Sequence, residues 1–438
     1  MNSRDKLIKK NIISSFIVKG WSGIIQLLLV PLTLNCINQY EYGIWMTIAS
    51  ILVWIDSFDI GLGNGLRNKL AEFLAKEDFT SAKKVVSTTF IMLIIIITVL
   101  WLSILVLSQF FNFYKILNVQ ISEVPQLPRV LFLSFSIVCA TFIFKFIGNL
   151  YLGLQLPAIN NIIITIGQTL ILTGILICSH LQNTTLLDVA VIYTFPPLIV
   201  YIAAYPITFC FKYKKLAPSI SFFEKTMIKD LFSMGLKFFL IQISGVVIFF
   251  AVNLIISNYF SPIAVTPYQI VFRYFTILTL AYTIIMTPFW SATTDAYTKN
   301  DISWIKQAVH NVNKMLLLAF IVDIGMVYCA PVIYKIWIGN KVFIPYDMNI
   351  YMGIYAFIII WSMSYSNLLN GLGYLRLQIY NILTIAIIFI PLSYFLCKIY
   401  NVEGMIITMC IINISGAALN TIQFYKIIQG RAKGIWKK

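Results

Sequence analysis

Twelve stretches of this 438-residue chain are continuously apolar and about twenty or more residues long, near 12–34, 42–64, 87–111, 129–150, 157–179, 188–211, 232–257, 262–290, 310–333, 348–370, 374–397 and 402–425. A helix needs about 20 apolar residues to cross a bilayer core. In lipid every peptide group must find its partner inside the protein, so only helices and closed barrels span. Barrel strands alternate in polarity over about ten residues, and these runs do not. The chain therefore reads as an all-α polytopic membrane protein of about 12 transmembrane helices. A composition 60% hydrophobic and only 11% charged excludes a soluble domain.

The net charge of +16 could suggest nucleic-acid binding, but its placement has a simpler cause. With a cytoplasmic start and twelve spans, 23 of the 32 basic residues fall on the cytoplasmic side, five outside and four within helices. That is the positive-inside asymmetry, with both termini expected in the cytoplasm. The basic segment carrying Arg4, Lys6, Lys9 and Lys10 resembles the start of a signal peptide. The apolar run after it is too long and lacks a small-residue cleavage site, so it is expected to be the first helix. The seven cysteines are scattered without paired spacing and read as small apolar packing residues.

Internal repetition appears when the chain is cut near Lys225. Lys76-Glu77-Asp78-Phe79-Thr80-Ser81-Ala82-Lys83 matches Lys299-Asn300-Asp301-Ile302-Ser303-Trp304-Ile305-Lys306 at an offset of 223. Asn149-Leu150-Tyr151-Leu152-Gly153-Leu154 matches Asn367-Leu368-Leu369-Asn370-Gly371-Leu372 at an offset of 218. Asp78 and Asp301 also suit the N-cap of the helix that follows each. Six spans per half bring the second half in with the orientation of the first, which is a parallel repeat. The expected bundles are residues 1–218 and 219–438.

Four cations, Lys19, Lys145, Lys237 and Arg273, sit inside these spans. Each costs roughly 2.5 to 3.5 kcal/mol at a membrane centre, so together they amount to a penalty on the order of 10 kcal/mol unless they face a polar interior. In the first span Lys19, Gly23 and Gln26 share a helix face; in the second, Asp56, Asp59 and Gly63 do; Asp323 lies mid-span in the ninth. One reading is a cavity that takes an anionic cargo, lined by Lys19, Lys237, Arg273 and Lys145, with Asp56, Asp59 and Asp323 as counter-charges or cation-coupling sites. The other is that each cation pairs with an aspartate to assemble the bundle, or snorkels to the interface, most easily Lys145 near a helix end. Gly61-Leu62-Gly63-Asn64-Gly65 ends a span and follows no strand, so it reads as a helix breaker before an amphipathic segment with Leu66, Leu70, Phe73 and Leu74 on one side. No nucleotide site is expected, and His180 and His310 have no metal-ligand spacing. Tyr42, Trp45, Tyr151 and Trp337 at helix ends read as interfacial belts.

Tyr42-Gly43-Ile44-Trp45, Asp59-Ile60-Gly61-Leu62-Gly63-Asn64-Gly65-Leu66-Arg67 and Asn149-Leu150-Tyr151-Leu152-Gly153-Leu154-Gln155 resemble Wzx-type O-antigen flippases. These form the polysaccharide branch of the multidrug/oligosaccharidyl-lipid/polysaccharide (MOP) exporter superfamily. The resemblance implies a V-shaped, MATE-like pair of bundles in the bacterial inner membrane. It also implies transfer of an undecaprenyl-diphosphate-linked oligosaccharide from the cytoplasmic to the periplasmic leaflet. The partners would be that cargo, membrane lipids and other polysaccharide-assembly membrane proteins, with no nucleic acid, nucleotide or cofactor. Proton or sodium coupling could run through Asp56, Asp59 or Asp323. A cation-coupled multidrug exporter is the alternative, and it would call for a lumen dominated by carboxylates. A membrane glycosyltransferase would need acids on a large outer loop, yet the stretch near 112–128 carries only Glu123.

Overall fold

A computed structural model describes residues 3–53, 55, 62–181, 183–229, 231, 251–299, 301–374 and 376–437, with the side chains of 3–17, 19, 64, 287, 288, 290, 291, 295, 298 and 437 outside that description. Among the described residues there are helices and turns and no strand. Among the described residues nine helices are long and apolar enough to span a membrane. Of the other three expected spans, 12–34 lies within the helix Ser3–Cys36, part of whose side chains are outside the description, and 42–64 and 232–257 run partly through residues outside it.

The chain forms two compact units, Met1–Ile263 and Ala264–Lys438. The first contains α1 (Ser3–Cys36), α2 (Gln39–Val53), α3 (Leu62–Ala75), α4 (Phe79–Ser108), α5 (Phe113–Leu117), α6 (Leu127–Gly153), α7 (Pro157–Cys178) and α8 (Leu186–Pro206). α8 runs on as a π turn over Ile207–Lys212. The second contains most of α9 (Pro262–Thr298), then α10 (Ile302–Trp337), α11 (Tyr346–Leu372), α12 (Arg376–Tyr400) and α13 (Glu403–Ile428).

Helix ends follow from local chemistry. Thr185 and Asp188 close a capping box on α8, the Thr185 N–H donating to the aspartate at 2.9 Å. Prolines open α6 and α7, where the missing N–H costs nothing. In the second unit the inward stripe of α10, Ile305, Val309, Val312, Leu316 and Ala319, packs on Ile360, Leu368 and Leu369 of α11 and Phe424 of α13. Its alternating spacing of four and three is that of one buried helix face.

The repeat motifs adopt the same backbone geometry twice. Asp78 (φ −86°, ψ 80°) accepts from Ser81 N–H and Asp301 (φ −84°, ψ 74°) from Trp304 N–H, both at 2.9 Å. Behind each cap the aspartate N–H reaches back five residues, to Phe73 O at 2.9 Å and Ala296 O at 2.8 Å. At the second motif the Leu156 N–H donates to Tyr151 O and Tyr374 N–H to Leu369 O, around left-handed residues Gln155 (φ 59°) and Gly373 (φ 84°). Those pairs keep the 218-residue offset. The compact units nevertheless divide at 263/264 and not at the repeat boundary of 218/219. Residues 251–259 are helical and are stitched into the first unit: Asn253 Nδ2 donates to Met46 O at 3.2 Å, Ser257 Oγ to Leu117 O at 2.7 Å and Asn258 Nδ2 to Ile116 O at 3.0 Å.

The amphipathic helix α3 starts within the glycine run, at Leu62, and the helix end expected before it lies outside the described residues. Gly63 and Gly65 lie inside α3, while Gly61 is outside the described residues. A Cβ on Gly65 would stand 2.8 Å from Leu231 O, so that glycine permits a close backbone approach. α3 is amphipathic as expected, with Leu62, Leu66 and Leu70 fully buried and Arg67 exposed. The segment after α8 is strapped to α4: Ser219 N–H donates to Ser87 Oγ at 3.1 Å, Glu224 N–H to Thr88 Oγ1 at 3.0 Å, and Lys84 pairs with Glu224 at 3.2 Å. All seven cysteines are free.

Two measurements check this account. A side chain in the left-handed region costs about 1 kcal/mol, and a Cβ on Gly373 meets nothing within 4 Å. Gln155→Gly is therefore expected to raise the thermal midpoint of the detergent-solubilised protein, and Gly373→Ala to lower it by a similar amount. Hydrogen bonds from Ser81 and from Ser303 and Trp304 hold the Asp78 and Asp301 carboxyls below the usual range. Their contribution is thus complete above the unfolded value of about 3.9 and fades as pH falls through the lower folded values. Midpoints recorded from pH 7 to pH 3 should drop less steeply for Asp78→Ala/Asp301→Ala than for the parent.

Candidate functional site

In the first unit four helices each turn one stripe of side chains into a cavity of about 450 Å³. α2 supplies Trp45, Ala49, Leu52 and Val53; α6 supplies Val138, Thr141, Phe142 and Lys145. α7 supplies Ile163, Ile164, Gly167 and Gln168; α8 supplies Tyr193, Thr194, Pro197 and Tyr201. Every set has the three-and-four spacing of a single helix face.

Lys145 stands eight residues before the end of α6, roughly 12 Å along the axis at 1.5 Å per residue. It is half-buried. Aromatic rings make much of the surrounding wall: the Trp45 and Tyr193 rings lie 5.2 Å apart at 49°. The Tyr193 hydroxyl is held 2.7 Å from Thr33 Oγ1 of α1, and Ser22 of α1 donates to Gln168 Oε1, which leaves the Gln168 NH₂ as its donor end. A further α1 contact, Trp21 Nε1 to Thr169 Oγ1 at 3.2 Å, fixes that helix against α7. Small residues let the framework close, since a Cβ on Gly148 of α6 would fall 2.4 Å from Asn160 Oδ1 of α7.

The cavity thus offers one ammonium, four hydroxyls, an amide and aromatic faces, and no carboxylate among its described lining residues. Such a surface accepts phosphate oxygens by charge-assisted hydrogen bonds. It gives a cationic ligand no counter-charge.

Of the cations expected to line a lumen, Lys145 is in this cavity. Lys19 lies in α1 with its side chain outside the described residues, and Lys237, Asp56 and Asp59 are also outside them. Arg273 is half-buried on α9 in the second unit. Asp323 of α10 is 4% exposed, its Oδ1 has no hydrogen-bond partner, and it lines an apolar cavity of about 420 Å³ with Phe320, Phe357 and Trp361. Ion pairs join Lys69 and Lys76 to Glu72 and Lys84 to Glu224.

The aromatics are where the sequence reading fails. Trp45 and Tyr42 are 2% and 1% exposed, and Tyr151 is buried with its hydroxyl 2.9 Å from Thr208 Oγ1, so none of the three belongs to an interfacial belt. α2 begins at Gln39 and turns its first two turns inward, which carries Trp45 to Tyr193. The signal available in sequence was the stripe Trp45, Ala49, Leu52.

Residues 8–294 match the family model described as polysaccharide biosynthesis protein. A Salmonella typhimurium protein named as a proposed O-antigen transporter is 21% identical over 385 residues, covering 83% of each chain. Among solved structures, an inward-facing multidrug resistance MATE family transporter of the MOP superfamily aligns with a TM-score of 0.75 at 13% identity over 95% of both chains. An outward-facing conformation of such a transporter gives 0.62 at 14% identity over 97% of both.

The framework has its own test. Gly148→Ala should destabilise the protein by about 1 kcal/mol, the low end for overpacking because an amide can swing away. Adding Asn160→Ala should restore the thermal midpoint.

Proposed function

The chain belongs to the polysaccharide biosynthesis protein family and has the all-α fold of MOP-superfamily transporters, and from that premise we propose that this multi-pass membrane protein is a flippase for lipid-linked oligosaccharide. The cargo is an undecaprenyl-diphosphate-linked repeat unit, carried from the cytoplasmic to the periplasmic leaflet of the bacterial inner membrane by alternating access. The observation that carries the reading is the cavity around Lys145, cationic and without a carboxylate among its described lining residues. The Lys145 ammonium receives the diphosphate, Gln168 and the threonine hydroxyls bond sugar hydroxyls, and the Trp45 and Tyr193 rings cover sugar C–H faces. Lys19, Lys237 and Arg273 are proposed as further cations for the anionic cargo, on the ground that each lies in an apolar stretch of spanning length. Asp56, Asp59 and Asp323 are the proposed groups for proton or sodium coupling. The repeats are 1–218 and 219–438, with both termini cytoplasmic.

Removing a charge-assisted hydrogen bond costs about 1.5–3 kcal/mol, which corresponds to roughly 10- to 100-fold in affinity. Lys145→Ala should therefore cut surface glycan sharply while lipid-linked precursor accumulates in the inner membrane, and Lys145→Arg should retain much of the export. Lys19→Ala and Arg273→Ala should each reduce export without loss of insertion. Normal export by Lys145→Ala at equal membrane abundance would remove the cavity from the transport path.

One observation favours a multidrug exporter instead: Asp323 among aromatic side chains in the second unit is the kind of place a lipophilic cation would occupy. Deletion of the gene separates the two readings. Lost surface glycan supports the flippase, while unchanged glycan with altered tolerance to cationic drugs supports the exporter.

A further inference from the structure

One face of α10 changes character along its length. Lys306, His310, Asn313, Leu317, Phe320 and Ile324 repeat at alternating spacings of four and three, so they form a single line beside the buried stripe. The first three line a cavity of about 250 Å³ closed by Phe424, Tyr425 and Ile428 of α13. Tyr365 of α11 donates to Asn313 Oδ1 at 2.8 Å, and Asn313 Nδ2 reaches the Tyr425 hydroxyl at 3.4 Å, which orients the amide and the phenol around the opening. Phe320 and Ile324, at the other end of the line, enter the apolar cavity of about 420 Å³ walled by Phe357 and Trp361. Leu317, between the two, is exposed.

The same line therefore joins a basic, hydrogen-bonding end to an apolar end. Among the described residues no acid lines the basic end. Asp323, in the floor of the apolar end, is seventeen residues from Lys306, about 25 Å along the helix. From His310 to Phe320 the rise is about 15 Å, half of a hydrocarbon core of about 30 Å. The line starts close to the capped end of α10, where Asp301 is exposed, and continues onto side chains that a spanning helix leaves open to lipid.

We infer that this face of the second unit is a binding groove for one anionic phospholipid of the surrounding leaflet, with the phosphate held by Lys306, His310 and Tyr425 and an acyl chain laid over Leu317 and Phe320 to Trp361. The one-leaflet length favours a bilayer phospholipid over a polyprenyl carrier, whose chain is longer than the groove. The site is separate from the Lys145 cavity, and lipid retention can be read without any transport assay.

The experiment uses the full chain purified in mild detergent, with native mass spectrometry to count retained phosphatidylglycerol and phosphatidylcholine after exchange into each. The parent should hold one phosphatidylglycerol, and Lys306→Ala/His310→Ala should lose retention at least tenfold. Lys335→Ala, a matched charge removal at the far end of the same helix, should leave it unchanged. Phosphatidylglycerol brominated on its acyl chain should quench tryptophan fluorescence more than its phosphatidylcholine counterpart, and Trp361→Phe should abolish that difference. Equal retention of the two lipids, or equal retention by the parent and the double variant, would overturn the site. Displacement of phosphatidylglycerol by equimolar polyprenyl phosphate would overturn the assignment of its occupant. Neither result bears on export through the first unit.

Discussion

A hydrocarbon core offers a peptide group no partner, and most of the structure depends on that fact. Among the described residues it makes the long apolar runs helices and moves irregular backbone to the ends, where Asp78, Thr185 and Asp301 supply what the helix lacks. It also disposes of the hydroxyls. Thr33, Thr47, Thr89, Thr194, Ser364 and Thr408 each donate to the carbonyl four residues earlier on their own helix. A threonine in these spans is therefore no marker of a site by itself, since the helix can satisfy it alone.

What remains after the backbone is satisfied is the choice of which face meets which. In the first unit α6, α7 and α8 turn mixed stripes towards one another and towards α2, and Lys145 is the charged member of that set. In the second, α10 turns an aliphatic stripe to α11 and α13, and the single acid on it, Asp323, ends beneath an apolar cavity. The two cavities thus differ in the charge of their described lining, a lysine in the first and an aspartate in the second, although the units share the same cap and the same left-handed helix ending.

The helices were legible because a span is a local property: length and hydropathy suffice, and nine of the twelve expected stretches are spanning helices among the described residues. The caps at Asp78 and Asp301 were legible for the same reason. Lys145 could be singled out because a cation in an apolar run stands out wherever its helix faces. Trp45 could not, because an aromatic near a helix start suits both a membrane surface and a buried wall, and only Tyr193, far away in sequence, decides between them. The close approach at Gly65 was hidden for a similar reason, its neighbour being the Leu231 carbonyl. The readings at Lys19, Asp56, Asp59 and Lys237 fall outside the described residues.

The helix at 251–259 carries a consequence for how such a chain is assembled. By sequence order it falls in the second of the two proposed repeats, yet its Asn253, Ser257 and Asn258 side chains close hydrogen bonds on Met46, Leu117 and Ile116. A cut at 218/219 would take those three side-chain hydrogen bonds from the first half and strand the helix that makes them. Two such halves would have to exchange a helix to become whole, as in domain swapping. Tethering them in one polypeptide turns that encounter between molecules into an internal step at high effective concentration. The covalent join between the repeats thus acts as an assembly device as well as a link.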